Sequence, residues 1–230
     1  MTAHYEDPLV YLQRKPLKEF AKSATIYAPP HASDHLYLVT MGRVKITTAV
    51  REGSLTTARI VPTEGIFGES CILGSPSLCE SAVTLDKTVL MSWSRHEVEQ
   101  QIEREPRLGL ALAQFLVRRC RQLEERIESM ALYKTPERVM LAFLQLATEQ
   151  GTQRDGAIRI APLTHLAIGE YVGTSREIIT FQMNRLRRSG MIRYSRQYID
   201  IDTRAIEEAL YQSGVHARPS AQPAARRARA

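Results

Sequence analysis

Leu163 to Ile192 reads LTHLAIGEYVGTSREIITFQMNRLRRSGMI, and its apolar spacing, glycines and polar faces describe two short helices joined by a tight turn. Thr164 is placed to cap a first helix carrying Leu166, Ala167 and Ile168. Gly173 sits at the turn, where a residue without Cβ lets a second helix pack closely on the first. The second helix opens with a capping box, Thr174 as N-cap and Glu177 three residues on reaching back to its backbone N–H. Ile179, Met183 and Leu186 then recur at four- and three-residue steps as a buried stripe. Arg176, Glu177, Thr180, Phe181 and Asn184 are left on the opposite face.

A polar face of this kind on the second helix of a helix-turn-helix suits the major groove of double-stranded DNA. Arg176 in the first turn can bond both acceptors of one guanine, and Glu177 can accept from a cytosine amino group. Thr174 and Ser175 lie at the helix start, and Arg185, Arg187, Arg188, Arg193 and Arg196 follow in a run suited to phosphates. An amphipathic helix pair with a solvated basic face is the bland alternative. The coincidence of turn glycine, capping box and basic flank favours DNA reading.

IGEYVGTSREIITFQMNRLRRSGMI resembles the recognition segment of the cyclic-AMP receptor protein/Fnr (Crp/Fnr) family of bacterial transcription regulators. LYLVTMGRVKI at Leu36 to Ile46, FGES at Phe67 to Ser70, ESAV at Glu80 to Val83 and a long helix ending near Tyr133 agree in order and spacing. The resemblance covers about Leu17 to Asp202. It implies an α+β chain: an N-terminal cyclic-nucleotide-binding-type β-roll, a long dimerisation helix and a C-terminal winged helix-turn-helix. The expected boundaries are 1–106 for the effector-sensing roll, 107–134 for the helix, 135–212 for the DNA-binding domain and 213–230 for a disordered basic tail.

The 230 residues, 43% hydrophobic, suit two modest domains, and a net charge of +6 suits a polyanionic partner. MTAHYEDPLVYLQRK lacks the apolar core of a secretory signal, and no run is long enough to span a bilayer, so a cytoplasmic protein with no membrane partner is expected. Cys71, Cys79 and Cys120 form no C-x-x-C pair and read as buried thiols in a reducing compartment. No enzyme motif appears: no Gly-rich phosphate loop, no H-E-x-x-H, no G-x-S-x-G and no metal-ligand spacing.

Along the chain, a short helical lead-in is expected around Tyr11 to Ala21. Strand-like runs follow at Leu36–Val39, Arg43–Thr48, Thr57–Val61, Ala82–Leu85 and Val89–Trp93, separated by turn residues that include Gly42, Gly53, Gly65 and Gly74-Ser75-Pro76. After Glu105-Pro106, the segment Arg107 to Tyr133 reads as one helix. Leu112, Leu116, Arg119, Leu123, Arg126 and Met130 follow the alternating steps of a two-helix seam, which predicts a homodimer; a helix packed only on its own roll is the alternative. Pro136 starts a helix over Glu137–Glu149, the GTQRDG loop leads to a strand at Ala157–Ile160, and Met191–Tyr194 with Tyr198–Ile201 form a wing. Arg226, Arg227 and Arg229 close a tail that either touches phosphates non-specifically or is simply solvated.

In family members that bind cyclic AMP, a Gly-Glu pair holds the ribose and an Arg-Ser pair neutralises the cyclic phosphate. Gly68 and Glu69 match the first pair, but Glu80 and Ser81 stand at the second, so an acid replaces the Arg. A carboxylate about 4 Å from a phosphodiester is repelled by roughly 1 kcal/mol in water and several times that in a partly buried pocket. Between Arg59 and Arg95 the only Lys or Arg is Lys87. Counting from Arg118-Arg119 to Arg138, the purine-contacting positions become Leu123 and Glu124, which carry no hydroxyl. Cyclic-AMP control in the usual way is therefore not expected, and Gly68 and Glu69 can persist for roll geometry alone.

An iron–sulfur cluster needs three or four thiolates, usually including an N-terminal group, and no cysteine precedes Cys71, which argues against one. Haem ligation by His31, His35 or His96, thiol sensing at Cys120 beside Arg119 and Arg121, a small-molecule effector and ligand-independent binding all stay open; the cofactor is unknown. The sequence thus predicts a homodimeric regulator reading a pseudo-palindromic site and working with RNA polymerase. The alternatives are a nucleotide-responsive regulator with an altered pocket, or an interaction module whose winged helix does not bind DNA.

Overall fold

The computed structural model describes residues 6–31, 33–51, 54–73 and 79–215. They fall into two compact units, Met1–Glu128 and Ser129–Ala230. The turn residues Gly53 and Gly74-Ser75-Pro76 and the Arg226, Arg227 and Arg229 tail lie outside the described residues.

The first unit is a roll of two four-stranded antiparallel sheets. β1 (Lys18–Phe20), β8 (Thr88–Ser94), β3 (His35–Met41) and β6 (Ile66–Phe67) lie in that order in one sheet; β2 (Thr25–Tyr27), β7 (Glu80–Thr84), β4 (Val44–Arg51) and β5 (Ser54–Val61) make the other. β3 buries Leu36 and Val39, which stand three residues apart and so point to opposite faces, Leu36 into one core cluster and Val39 into another. Val39 then packs with Tyr27, Val44, Ile46, Val61, Phe67, Ala82 and Leu90 in a cluster spanning both sheets. At roughly 1.5–3 kcal/mol per buried large apolar side chain, this cluster is the main force closing the roll. Arg43, buried beside it, is matched by Asp86, with Nε donating to Oδ2 at 2.7 Å.

The expected helix over Tyr11 to Ala21 does not form. A single 3₁₀ turn, Pro8–Val10, capped by Asp7, is followed by extended chain and β1. Pro16 breaks helical hydrogen bonding, and β1 gains a full partner instead, Lys18–Phe20 pairing with Thr88–Leu90 of β8. α1 (Arg95–Arg104) starts on a reciprocal capping box between Ser94 and Glu97. Lys15 and the Ser94 amide hold the exposed Glu97 carboxyl down to about 2.

α2 runs from Pro106 to Leu132. Its first turns face inward: Leu108 and Leu112 join Leu12, Leu36, Ile66, Cys71, Trp93 and Val98 in the second roll cluster. Leu112 is therefore a core residue of its own roll and not a seam position. Beyond it, apolar side chains are left exposed. Val117 and Ile127 show 61% and 67% of their surface, with Leu116 and Leu123 at 37% and 40%.

The second unit is built on α3 (Thr135–Gln150), whose Val139, Phe143 and Leu146 are fully buried. β9 (Thr152–Arg154) and β10 (Ala157–Ile160) form a two-residue hairpin where a loop was expected. Asp155 and Gly156 both take positive φ, 45° and 79°, the pattern of a type I′ turn. The sheet continues through β12 (Ile199–Ile201) to β11 (Ile192–Tyr194). Asp200, buried in β12, accepts from Arg159 through two bonds of 2.6 and 2.8 Å. α6 (Thr203–Gln212), capped by Asp202 and absent from the sequence reading, closes the unit with Ile206 and Leu210 buried.

Candidate nucleic-acid interface

α4 (His165–Val172) begins as expected, the Thr164 hydroxyl accepting from the Ala167 amide at 3.1 Å. It ends at Gly173, which caps it in the left-handed region at φ 77°. The glycine that allows the close approach of the two helices is Gly169, not Gly173. A Cβ on Gly169 would stand 2.9 Å from the Thr174 carbonyl oxygen and 3.4 Å from the Ser175 carbonyl carbon. Arg138, from α3, donates to the Val172 and Gly173 carbonyls at 2.5 and 3.0 Å and so satisfies the end of α4. Sequence reading missed it, because only the fold brings it to that turn.

α5 (Arg176–Arg188) is capped one residue later than expected. Ser175, not Thr174, is the N-cap, its hydroxyl accepting from the Ile178 amide at 3.3 Å. Glu177 is consequently in the first turn and not at the reciprocal position of a capping box. Its own backbone amide and then the Ser175 side chain hold its carboxyl below the usual range, so it is an acceptor only. Ile179, Met183 and Leu186 are buried as the spacing required. Arg176, Glu177, Phe181, Arg185, Arg187 and Arg188 are exposed, and Thr180 and Asn184 are half-buried.

The half-buried pair is held by neighbours. The Thr180 hydroxyl donates to the Arg176 carbonyl at 2.9 Å and lies 2.9 Å from His165 Nδ1. The Tyr194 hydroxyl, from the wing, reaches Asn184 Oδ1 at 3.5 Å, and the Arg187 guanidinium stands 5.5 Å over the Tyr194 ring. Arg196 is exposed at the wing tip, where the Ser195 amide donates to the Tyr198 carbonyl. The second unit thus brings together the N-terminus of α5, its exposed side chains and the exposed guanidinium groups of Arg185, Arg187 and Arg188, with Arg196 on the wing.

The expected sensory residues divide. Gly68 is buried at φ 79°, and a Cβ there would meet the His35 carbonyl oxygen at 2.4 Å. Glu69 opens a 3₁₀ turn, Glu69–Leu73, and accepts from Arg59 Nη2 at 2.6 Å. Glu80 accepts from the Tyr27 hydroxyl at 2.5 Å, and Ser81 pairs across the sheet with Thr47. The cation absent from the Glu80 neighbourhood in sequence is thus supplied by Arg59, at the near boundary of that interval, because β5 returns beside β4. Arg119, a residue of the expected seam, is half-buried on α2, and its charge opposes the rise of the Glu80 carboxyl. Leu123 and Glu124 are exposed on α2.

Tyr27, Tyr37 and Phe67 stack beside this cluster, with centroids 5.9 Å apart for the tyrosines and 4.9 Å for Tyr37 and Phe67. Burial pushes Tyr27 well above the usual phenol range, and Glu80 then adds to the shift. Burial likewise raises the Glu80 carboxyl above its unfolded value of 4.5, against the Tyr27 hydrogen bond. A raised carboxyl favours folding in full below that unfolded value and loses the contribution as the pH rises through the folded one. Glu80→Gln keeps an acceptor for Tyr27 without the charge. It is expected to raise the thermal unfolding midpoint at pH 7, with the gain vanishing toward pH 4; an unchanged or lower midpoint at pH 7 would contradict this.

Among the cysteines only Cys71 is buried, its thiol pushed up to about 11 chiefly by that burial. Cys79 and Cys120 are exposed, contrary to the sequence expectation of three buried thiols. Met130, expected in the seam, leans toward the helix-turn-helix, its Cε 3.2 Å from where a Gly173 Cβ would sit. No described helix is long and apolar enough to cross a membrane.

A roll of this topology and a winged helix-turn-helix on one chain define the architecture of a DNA-binding transcription regulator. Residues 17–105 match the family described as Cyclic nucleotide-binding domain, and residues 137–208 match the Crp-like helix-turn-helix domain. The CRP-like cAMP-activated global transcriptional regulator of Mycobacterium tuberculosis is 30% identical over 76% of this chain and 79% of its own length. A Crp/Fnr-family transcriptional regulator from Thermus thermophilus superposes with a TM-score of 0.67 at 26% identity, over 84% of this chain and 97% of that one. FixK2 from Bradyrhizobium japonicum shares the fold, with a TM-score of 0.74 at 16% identity over 89% and 98% of the two chains. The chain belongs to the Crp/Fnr family of DNA-binding transcription regulators.

Proposed function

We propose that the protein is a cytoplasmic homodimer that reads a pseudo-palindromic DNA site with two copies of α5 and works with RNA polymerase. The observation that carries this reading is the capped, outward-facing first half of α5. Arg176, Glu177, Thr180, Phe181 and Asn184 are proposed to meet base edges, and Arg185, Arg187, Arg188 and Arg196, with the Thr174–Ser175 helix start, to meet phosphates; the exposure of Arg176, Glu177, Phe181 and the four flanking arginines supports this. Phe181 is two-thirds exposed, an unfavourable place for a phenyl ring unless it packs on something such as a thymine methyl.

The exposed stripe of α2 supports the dimer. Ala113, Cys120 and Ile127 recur every seven residues, as do Leu116 and Leu123, and all five are exposed. A symmetric dimer that reads one DNA site places its two recognition helices about 34 Å apart, one turn of the duplex. The proposed divisions are residues 1–106 for sensing, 107–134 for dimerisation and 135–212 for DNA. The roll is proposed to respond to a small-molecule effector other than cyclic AMP, a reading supported by Glu80 and by the Arg59–Glu69 pair occupying the expected binding residues.

Arg176→Ala is expected to weaken specific binding by about 1–3 kcal/mol and to relax one base position per half-site. Competition against scrambled duplex checks it: an equal loss on all sequences would make Arg176 a phosphate contact and remove the proposed base reading.

A further inference from the structure

His165, the first residue of α4, carries no signal in the sequence beyond that of an ordinary helix residue. The fold places its ring among three elements of the DNA-reading unit. Nδ1 lies 2.9 Å from the Thr180 hydroxyl of α5. The Tyr194 ring of β11 stands edge-on to it, with centroids 6.2 Å apart and an interplanar angle of 75°. Burial, and then the charge of Arg176, hold its pKa below the ordinary histidine value, which favours the neutral ring.

A threonine inside a helix divides its population between two side-chain rotamers, one of which returns its hydroxyl to the carbonyl four residues back. Thr180 is in that rotamer, bonded to the Arg176 carbonyl. The hydroxyl has one hydrogen and two lone pairs. With Nδ1–H donating, the hydroxyl hydrogen goes to the Arg176 carbonyl; with Nδ1 accepting, it goes to the imidazole. In both tautomers that hydrogen is held within the protein. Thr180 is left with its methyl group and its remaining acceptor capacity to offer a base edge.

We infer that His165 is a specificity-determining positioning residue: it locks the Thr180 rotamer so that this residue reads DNA as a methyl and acceptor, never as a donor. The inference rests on the DNA-reading role proposed above. Its chemical consequence is a preference at the Thr180 base step for a thymine methyl or for an amino group of adenine or cytosine, and against recognition of guanine O6 or N7 through the hydroxyl. Tyr194 limits the movement of the imidazole from the wing side, which couples wing position to base choice.

The test compares the full-length wild type, Thr180→Ala, His165→Ala, His165→Asn and the His165→Ala/Thr180→Ala double variant in selections from one randomised duplex library at fixed salt. Thermal unfolding of each protein accompanies the selections. Thr180→Ala identifies the base step that Thr180 reads. His165→Ala is expected to lower discrimination at that same step by about five-fold or more, leaving the other positions unchanged, and to add nothing in the Thr180→Ala background. Asn has an amide nitrogen at the position of Nδ1, so His165→Asn is expected to restore the preference. Unchanged discrimination in a folded His165→Ala protein, a uniform loss at every position, or failure of Asn to rescue would overturn the inference while leaving DNA reading intact. Failure of the wild type to enrich any site would instead remove the DNA-reading premise, and the inference with it.

Discussion

Gly68→Ala is expected to destabilise the roll by about 3 kcal/mol or more, lowering its unfolding midpoint by roughly 12 °C or more. Two separate effects add. The residue sits at φ 79°, where any side chain is strained. The new Cβ would also lie 2.4 Å from the His35 carbonyl oxygen and 2.9 Å from a Tyr37 ring carbon. The nearest atom is backbone within β3, paired on both sides to β6 and β8, so relief requires moving a central strand. Calorimetry of the purified variant checks this directly, and a midpoint that stays at the wild-type value would contradict it. The expected result also separates two roles for the Gly-Glu pair. Gly68 is required by the path of the chain between β6 and the Glu69–Leu73 turn, whether or not any nucleotide binds.

The second large effect is expected at Gly169. Gly169→Val places a branched side chain where even a Cβ would be 2.9 Å from the Thr174 carbonyl oxygen and 3.5 Å from the Arg176 amide. These are atoms of the turn that starts α5, so the helix must move away from α4. Loss of specific DNA affinity by roughly ten-fold or more is expected, since a displacement of about an ångström is enough to break base-edge hydrogen bonds. Gly190→Ala is the matched control. Its φ is positive, at 78°, unlike that of the helical Gly169, but a Cβ there meets nothing within 4 Å, so the cost is limited to about 1 kcal/mol of backbone strain. Fluorescence anisotropy on one selected duplex, with circular dichroism to follow helix content, distinguishes the two; equal losses would contradict the packing account.

Much of this was legible before the fold was known, for physical reasons that differ by element. Ile179, Met183 and Leu186 announced their helix because the 3.6-residue period must be written into the sequence of any half-buried helix. The five longer strands of the roll were readable from β-rich runs between turns. β1, β2 and β6 were not, because strands of two or three residues carry too little alternation to register. Asp155-Gly156 was a readable hairpin signal that passed as a loop, since the flanking strands are only three and four residues long. The register of the cap was lost between Thr174 and Ser175, two adjacent hydroxyl residues of equal capping chemistry.

The site was less legible than the fold. Outward residues of α5 followed from the helix period, but the partners that orient them come from elsewhere: His165 from α4, Tyr194 from the wing, Arg138 from α3. The same holds in the roll. Along the chain no arginine lies near Glu80, whereas the return of β5 places Arg59 on Glu69 and within electrostatic reach of Glu80. Leu112 fits the seam period equally well, yet burial against Trp93 and Val98 claims it for the roll. Periodicity identifies a face; it does not say which neighbour covers it.

The most direct measurement is selection from a randomised duplex library with the full-length protein at fixed salt, in parallel with and without cyclic AMP. The account predicts a two-fold-symmetric site, its half-sites about one helical turn apart, recovered alike in both arms. A site recovered only with cyclic AMP would contradict the reading of Glu80, and enrichment in neither arm would point to a missing effector or to a winged helix that does not bind DNA.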